Sequence, residues 1–160
     1  MFNNAKIGSM AAEIKFEDTV SYKLAKVTTA YRTALERHLF RKGLHGGQVF
    51  VLMELWNQDG LRQIDLARRL NVSAATVNKM LKGLIEVNLI KRGREDDDAR
   101  STRICLTRQG LSMRATVEDL WRDLEVECVA GLTETERLIL LEVLGKLRNT
   151  FTGSQDADEE

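Results

Sequence analysis

The chain has 160 residues, 43% of them hydrophobic and 30% charged, a composition typical of a globular protein and not of a disordered one. Its formal net charge is zero, and it contains no run of about 18 apolar residues, which excludes a membrane-spanning helix. Two cysteines are too few for a disulfide scaffold or a four-thiolate zinc site, so we expect a reduced, cytoplasmic protein.

The charges are unevenly distributed along the chain. Between Arg62 and Arg108 there are eleven Lys and Arg residues against six Asp and Glu, and the rest of the chain carries the matching acidic excess. Such an asymmetry indicates a basic working surface on a neutral scaffold.

The first half of the chain is predicted to be helical. Apolar residues at three- and four-residue steps predict a long helix from about Phe16 to Arg41, which Gly43 stops. Gly46 and Gly47 are expected to separate it from the next helix, and Asn57–Gly60 has the composition of a turn. The three further helices are predicted over residues 48–56, 62–70 and 73–87.

The second half begins with a change of period. Two short strands are predicted over Ile90–Gly93 and Thr102–Leu106, joined by a charged loop over residues 94–101. A long helix then runs from Thr107 to about Ala130, and a last helix begins at the capping box Thr133–Glu136. That last helix is apolar on more than one face, so we expect it to form a subunit interface, with a central core helix as the alternative.

Residues 63–82 fit a helix-turn-helix position by position. The positions that need apolar residues are occupied, and Ala67 stands where the two helices cross closely. Asn71 is a turn residue that tolerates a left-handed backbone, and Ser73 stands where the second helix needs a cap. The apolar positions are Leu66, Leu70, Val72, Val77 and Met80.

The second helix of this unit is predicted to present a DNA-reading face. At 100° per residue, Ala75, Lys79 and Lys82 point away from the buried side, and Thr76 and Asn78 flank them. Small, amide and cationic side chains suit a helix in a major groove, where Asn and Lys can bond to base edges. The alternative is an ordinary solvated helix face.

In and beside the loop between the strands, three arginines bracket four consecutive acids, Glu95–Asp98. Acids repel phosphate, so a purely electrostatic DNA contact would not use them. They are explained if one acid pairs with an arginine and directs its guanidinium into a minor groove. A solvated turn without a target is the alternative. The arginines are Arg94, Arg100 and Arg103.

These segments together resemble the MarR family of bacterial transcriptional regulators. The resemblance covers about residues 16–151, and its most telling part is Asp98-Ala99-Arg100-Ser101 followed by Leu106-Thr107-Arg108-Gln109-Gly110. Asn71 and Asn88 stand where the family often has glycine. The resemblance implies a mainly α fold with a small two-stranded β wing, a winged helix-turn-helix with long terminal dimerisation helices.

The resemblance also implies a domain plan and a set of site residues. Dimerisation helices are expected at about 16–42 and 108–151, a DNA-binding lobe at about 48–107, a disordered segment at 1–15 and an acidic tail at 152–160. Asp98 is expected to steady the wing arginine Arg100. The residues expected to contact DNA are Ser73, Ala75, Thr76, Asn78, Lys79, Lys82, Arg94, Asp98, Arg100 and Arg103.

The trigger of such a regulator is harder to predict from the sequence. The family implies a small effector, often an aromatic acid or phenol, and a pocket between the first, second and fifth helices could use Tyr31, His38, His45 or Trp56. Ordinary packing explains these residues as well. Two histidines without a nearby cluster of acids or thiols do not indicate a metal site, and no cofactor is expected.

Three alternatives are open. Cys105 or Cys128 could sense oxidants, although neither has neighbours that clearly lower its pKa. An enzyme is not expected, because no nucleotide-binding or hydrolase motif is present and Asp96–Asp98 could not converge on one ion. A non-DNA interaction protein on the same fold is the third. The prediction is a sequence-specific DNA-binding regulator, most simply a ligand-responsive repressor that binds a near-palindromic site as a homodimer.

Overall fold

The computed structural model describes residues 14–95 and 98–152, with the side chains of 94, 95 and 98–101 outside the description. Within these ranges the chain forms six α-helices and a small antiparallel sheet, which confirms the predicted mainly α fold with a β wing. The chain divides into two compact units, one ending at Val117 and the other beginning at Glu118. Nearly all of the predicted segment 1–15 and tail 152–160 lies outside the described residues.

The first two helices are α1, Val20–Phe40, and α2, Gly46–Asn57. Gly43, at φ +68°, lies in the turn between them, as expected. The prediction that Gly46 and Gly47 form a linker is wrong, because both lie in the first turn of α2. The backbone N–H of Gly46 donates to Glu36 Oε1 at 2.8 Å, so a side chain of α1 caps this start and two glycines are held in a helix that they would not favour alone.

The helix-turn-helix consists of α3, Gln63–Leu70, and α4, Ala74–Glu86. Both helices pack against α2, whose Val49, Val51, Leu52 and Leu55 are fully buried. The core of the first unit is therefore centred on α2, and the packing of the buried side of α4 against α2 fixes the position of α4. The other fully buried side chains of this core include Leu66, Val77, Leu81, Leu84, Leu89, Ile90 and Ile104.

The sheet has three strands, one more than predicted. They are β1, Leu61–Arg62; β2, Ile90–Glu95; and β3, Asp98–Leu106, in the order β1-β3-β2. Leu61 pairs with Ile104 and Arg62 with Arg103. No periodicity predicts β1, because a strand of two residues is too short to show one, and the predicted helix over 62–70 includes Arg62.

The wing strands are longer than the sequence indicated. Residues 94, 95 and 98–101 were predicted to be loop, yet Arg94 pairs with Thr102 and Glu95 with Asp98, with an irregularity in register between Arg94 and Glu95. A two-stranded ladder is held by backbone hydrogen bonds, so it extends through charged residues that hydrophobic periodicity cannot detect. Residues 96 and 97 of the predicted loop lie outside the described residues.

The last two helices are α5, Arg108–Val129, and α6, Glu134–Thr152. The predicted capping box of α6 is present: Thr133 Oγ1 accepts from the N–H of Glu136 at 3.3 Å, and Glu136 Oε2 accepts from the N–H of Thr133 at 2.8 Å. No residue of α6 between Glu134 and Thr152 is buried, so the alternative of a central core helix is wrong for the single chain. Its exposed apolar side chains include Leu138, Ile139, Leu140, Leu141, Val143 and Leu144.

Candidate nucleic-acid interface

The turn of the helix-turn-helix has the geometry that the sequence predicted. Asn71 ends α3 in the left-handed region, with φ 51° and ψ 48°. Its N–H donates to the carbonyl of Arg68 at 3.2 Å, and the N–H of Val72 donates to that of Ala67 at 3.1 Å. These bonds satisfy the last carbonyls of α3 and turn the chain sharply into α4. Ala67 is buried at this crossing, as expected.

The start of α4 is fixed by two hydroxyl side chains. Ser73 Oγ accepts from the N–H of Thr76 at 3.2 Å and lies 2.9 Å from Thr76 Oγ1. Ser73 is therefore the cap that the sequence predicted, and both residues are exposed at the N-terminus of α4. The first helical turn, Ala74–Thr76, has no acidic side chain, so its backbone amides can face an anion without repulsion from an acid in that turn.

One face of α4 is buried and the opposite face is exposed, as the 100° spacing predicted. Val77, Leu81 and Leu84 are fully buried. The small, amide and cationic residues of the predicted reading face are all exposed, and Lys82 Nζ lies 4.0 Å from Glu86 Oε1 on the same helix. The structure therefore brings the α4 members of the predicted set onto one surface: Ala75, Thr76, Asn78, Lys79 and Lys82.

The wing members of the predicted set are brought together only in part. Arg94, Asp98 and Arg100 lie on β2 and β3, and their side chains are outside the described residues. Arg103 is half-buried, and its Nη1 donates to the carbonyl of Gly60 at 3.4 Å. Its guanidinium thus reaches the turn before β1, and this contact ties the base of the wing to the loop after α2.

A residue that the sequence analysis missed lies beside this face. Arg92, on β2, has its Nη2 at 3.4 Å from Asn78 Oδ1 on α4. It is the third residue of a strand that begins with the buried Ile90, so the alternation along the strand was the signal that could have identified it.

A cavity of about 370 Å³ lies between α2, α3 and α4. None of the four residues predicted for an effector pocket lines it. Trp56 instead donates from Nε1 to the carbonyl of Gly110 at 3.0 Å, and His45 Nδ1 lies 3.4 Å from Glu36 Oε2. Tyr31 and His38 are half-buried on α1. The cavity is lined by Gly47, Phe50, Glu54, Arg69, Leu70, Val72 and Met80.

The two cysteines differ in exposure. Cys105 is half-buried on β3, and burial raises the pKa of its thiol, an effect that the nearby charge of Asp59 reinforces. A raised pKa leaves less thiolate at neutral pH, which is the opposite of what a reactive thiol needs. Cys128 is exposed on α5.

Residues 14–95 and 98–152 offer neither a candidate metal site nor a membrane-spanning helix. No group of three or more His, Cys, Asp or Glu side chains in these ranges could hold a metal ion. No helix in the same part of the chain is long and apolar enough to cross a membrane.

Comparison with known sequences gives one family and several relatives. The family model described as MarR family matches residues 45–102. The chain is 31% identical over 112 residues to an uncharacterized HTH-type transcriptional regulator, YdgJ, of Bacillus subtilis, covering 68% of this chain and 66% of YdgJ. It is 31% identical over 120 residues to the HTH-type transcriptional regulator TtmR of Methylorubrum extorquens, covering 75% of this chain and 58% of TtmR. The chain thus matches just under two thirds of the first relative and less of the second.

Comparison with solved structures supports the fold. A structure of the S. aureus MepR–DNA complex has a TM-score of 0.74 and 26% sequence identity, covering 82% of this chain and 98% of that one. A probable transcriptional regulator from Pseudomonas aeruginosa has a TM-score of 0.78 and 22% identity, covering 83% of this chain and 99% of that one. Both similarities extend beyond the wing and the helix-turn-helix, since each covers more than four fifths of this chain.

Proposed function

The chain belongs to the MarR family of transcriptional regulators, and on that premise we propose that it acts in the cytoplasm as a homodimer that binds a near-palindromic DNA site and represses transcription by occlusion. Members of that family are regulators and not enzymes, which agrees with the prediction that the chain is no enzyme. The proposal includes control by a small effector.

The observation that carries the proposal is the exposed face of α4. It follows a tight turn, begins with a capped turn free of acids, and presents Ala75, Asn78 and Lys79 away from a fully buried side. Small side chains allow the helix backbone to approach base edges, and amide and ammonium groups can bond to them in a major groove.

The wing supplies the second contact. We propose that Asp98 orients Arg100 toward a minor groove, where a guanidinium is attracted by the negative potential. Arg94 is proposed to contact the same stretch of backbone, and Arg103 to contribute from the base of the wing, where its bond to the Gly60 carbonyl restricts it.

The exposed apolar side chains of α6 support the homodimer. Six consecutive or near-consecutive apolar residues are 38–55% exposed in the single chain, and such a patch marks an interaction site more often than a solvated surface. A second copy of this chain would bury the apolar surface of α6 in both copies, because a two-fold interface is formed by the same surface of each copy. The α4 helices of the two copies then bind half-sites about one helical turn apart, 10–10.5 bp.

The proposed effector is a small aromatic acid or phenol. The cavity between α2, α3 and α4 falls within the 300–1,000 Å³ typical of small-molecule sites, and it touches both helices of the helix-turn-helix. Benzoate, salicylate and phenol are suitable probes, measured by thermal shift and by release of the selected DNA site. If none of the three raises the melting temperature or releases DNA, the effector part of the proposal is wrong.

The test of DNA binding is selection of sites from a random duplex pool with the purified chain. The expected result is enrichment of a palindrome with half-sites one helical turn apart. Affinity for that site should fall steeply between low and physiological salt, because phosphate contacts release counterions. A pool without enrichment, or an affinity independent of salt, would contradict the proposal.

Two substitutions separate this function from that of a non-DNA interaction protein on the same fold. Arg100→Ala and Lys79→Ala should each cost about 1–3 kcal/mol of affinity for the selected site. Lys42→Ala removes the same charge from an exposed position between α1 and α2 and serves as the control. Equal affinities for all three variants would favour the interaction protein.

The oxidant-sensing alternative has a separate test. Cys105→Ser should leave the response of DNA binding to hydrogen peroxide unchanged, because the pKa of Cys105 is raised and not lowered. Cys128→Ser tests the exposed thiol in the same assay. A peroxide response that either substitution abolishes would favour the redox alternative.

A further inference from the structure

Arg92 joins the wing to the reading face of α4. Ile90 is fully buried, and Lys91 and Arg92 are both exposed. Because side chains alternate along a strand, Arg92 lies on the same face of β2 as Ile90, and β2 packs next to α4. There the Arg92 Nη2 lies 3.4 Å from Oδ1 of Asn78, a residue of the predicted reading face. Fourteen residues separate the two in sequence.

The chemistry of the two groups fixes the orientation of the Asn78 amide. An arginine side chain has five N–H donors and no acceptor, so the asparagine atom that faces it must be the oxygen. The opposite rotamer would place the Nδ2 donors against the guanidinium. The contact therefore leaves the Nδ2 donors of Asn78 directed away from Arg92, toward the exposed side of α4.

This orientation changes which base Asn78 can recognise. A bidentate contact to adenine needs Oδ1 to accept from N6 while Nδ2 donates to N7. Here one of the two lone pairs of Oδ1 accepts from Arg92, and the positive guanidinium beside it disfavours the approach of the adenine amino group, which is also a donor. Guanine presents two acceptors, O6 and N7, which suit the Nδ2 donor and the remaining Arg92 donors together. Cytosine presents only a donor in the major groove, so it is rejected.

We propose that Arg92 and Asn78 form one reading unit that selects guanine at the base pair facing Asn78, with Arg92 as a specificity-determining residue. This inference rests on the proposed DNA-binding function. It differs from a simple phosphate contact, because the loss of a phosphate contact would lower the affinity for every sequence equally.

The contact itself is tested without DNA. In the ¹H–¹⁵N spectrum of the free protein, the side-chain amide signals of Asn78 are assigned by their loss in Asn78→Ala. Arg92→Ala should shift these signals, and Lys91→Ala should not, since Lys91 carries the same charge on the opposite face of β2. Signals that stay in place in Arg92→Ala would overturn the contact and with it the inference.

The specificity is tested by repeating the site selection with the same three variants. Asn78→Ala identifies the base pair that this residue reads. At that position Arg92→Ala should lose guanine preference by about fivefold or more, the discrimination of a good base contact. Lys91→Ala should keep the preference while its overall affinity falls. The double variant Asn78→Ala/Arg92→Ala should lose no more guanine preference at that position than Asn78→Ala or Arg92→Ala alone.

Three outcomes separate the inference from the function on which it rests. If Arg92→Ala weakens all sequences equally, or changes a position that Asn78→Ala does not, the reading unit is wrong and the DNA-binding function stands. If the unsubstituted chain selects no sequence, the proposed function fails and the specificity role of Arg92 fails with it. Circular dichroism of each variant confirms that the exposed substitutions leave the fold intact.

Discussion

Gly110 shows how one residue without a side chain holds two parts of the first unit together. It lies in the first turn of α5, where Thr107 Oγ1 accepts from its N–H at 3.0 Å and its carbonyl accepts from Trp56 Nε1 at 3.0 Å. A Cβ at this position would overlap the backbone carbonyl oxygen of Leu89. The Leu-Thr-x-x-Gly segment is thus a capped helix start pressed against the residue that precedes β2.

Gly110→Ala is therefore expected to destabilise the protein strongly. The overlapping atom belongs to the backbone and cannot rotate away, so the cost should reach about 3 kcal/mol, the upper range for an overpacked site. Gly131→Ala is the control, because a Cβ there meets no atom within 4 Å. Urea denaturation of both variants measures the difference, and equal midpoints would show that the Leu89 segment yields.

Asn71 is a second position where the backbone conformation selects the residue. Its φ of 51° and ψ of 48° are strained for a residue with a Cβ, although asparagine adopts them more readily than most. Asn88, before β2, has φ 57° and meets the same requirement. Both asparagines stand where the MarR family often has glycine, and their positive φ explains why asparagine can replace glycine at these positions.

Asn71→Ala should cost about 1 kcal/mol of stability, because alanine has no side chain that bonds to the local backbone in the left-handed region. Asn71→Gly should be nearly neutral, since glycine adopts this region without a steric penalty. Denaturant midpoints of the two variants make the comparison. Indistinguishable midpoints would mean that the turn relaxes to another conformation.

At the scale of the elements, the helix starts are built from side-chain caps that the sequence reveals to different degrees. Thr133 and Glu136 form a reciprocal box at α6 that is visible in the sequence. Glu36, on α1 and ten residues before Gly46, accepts a hydrogen bond from the first turn of α2, and no local sequence pattern predicts this contact. A cap within one turn is a local signal, and a cap between helices is a product of packing.

The cap of α6 predicts a pH dependence. Hydrogen bonds from the backbone and side chain of Thr133 lower the pKa of the Glu136 carboxyl from its usual 4.5. A lowered folded-state pKa gives a stabilisation that is fully present above pH 4.5 and is lost as pH falls through the lowered pKa. Glu136→Gln should therefore be less stable than the unsubstituted chain at neutral pH.

At pH values below the lowered pKa of Glu136, the difference in the free energy of unfolding between Glu136→Gln and the unsubstituted chain should shrink, because both then carry an uncharged group at this position. Denaturant unfolding at pH 7 and at a series of lower pH values measures it. A difference that stays constant with pH would show that the charge of Glu136 has no part in the cap.

At the scale of the whole molecule, the exposed apolar surface of α6 is the feature that one chain leaves incomplete. Leu141 is 54% exposed and Ile139 55%, in a helix with no buried residue between Glu134 and Thr152. Removing apolar surface of this extent from water lowers the free energy, so its burial is favoured. The proposed homodimer provides that burial, and it also places two reading helices on one DNA duplex.

Leu141→Asp is accordingly expected to dissociate the dimer, since it places a charge in the proposed apolar interface. Light scattering at micromolar concentration should give twice 18.1 kDa for the unsubstituted chain and 18.1 kDa for the variant. Ile64→Asp is the matched control, because Ile64 is similarly exposed, at 53%, but lies on α3. An unsubstituted chain of 18.1 kDa would contradict the dimer.

The sequence by itself determined the features that arise from local physics. Hydrophobic periodicity located the helices, and the residue types at the turn and caps predicted the conformations of Asn71, Asn88, Ser73 and Thr133. The 100° spacing along α4 predicted which side chains are exposed, because one strongly apolar face fixes the direction of the other. Ala75, Asn78 and Lys79 are therefore predictable as one surface from the sequence alone.

Only the tertiary structure decided the features that depend on residues distant in sequence. The strand Leu61–Arg62 exists because β3 offers it backbone partners, and two residues carry no period that could predict it. Arg103 reaches Gly60, and Arg92 reaches Asn78, across 43 and 14 residues. Such contacts arise where separate elements meet, so the periodicity within α4 or within β2 does not reveal the bond that would orient Asn78 toward a base.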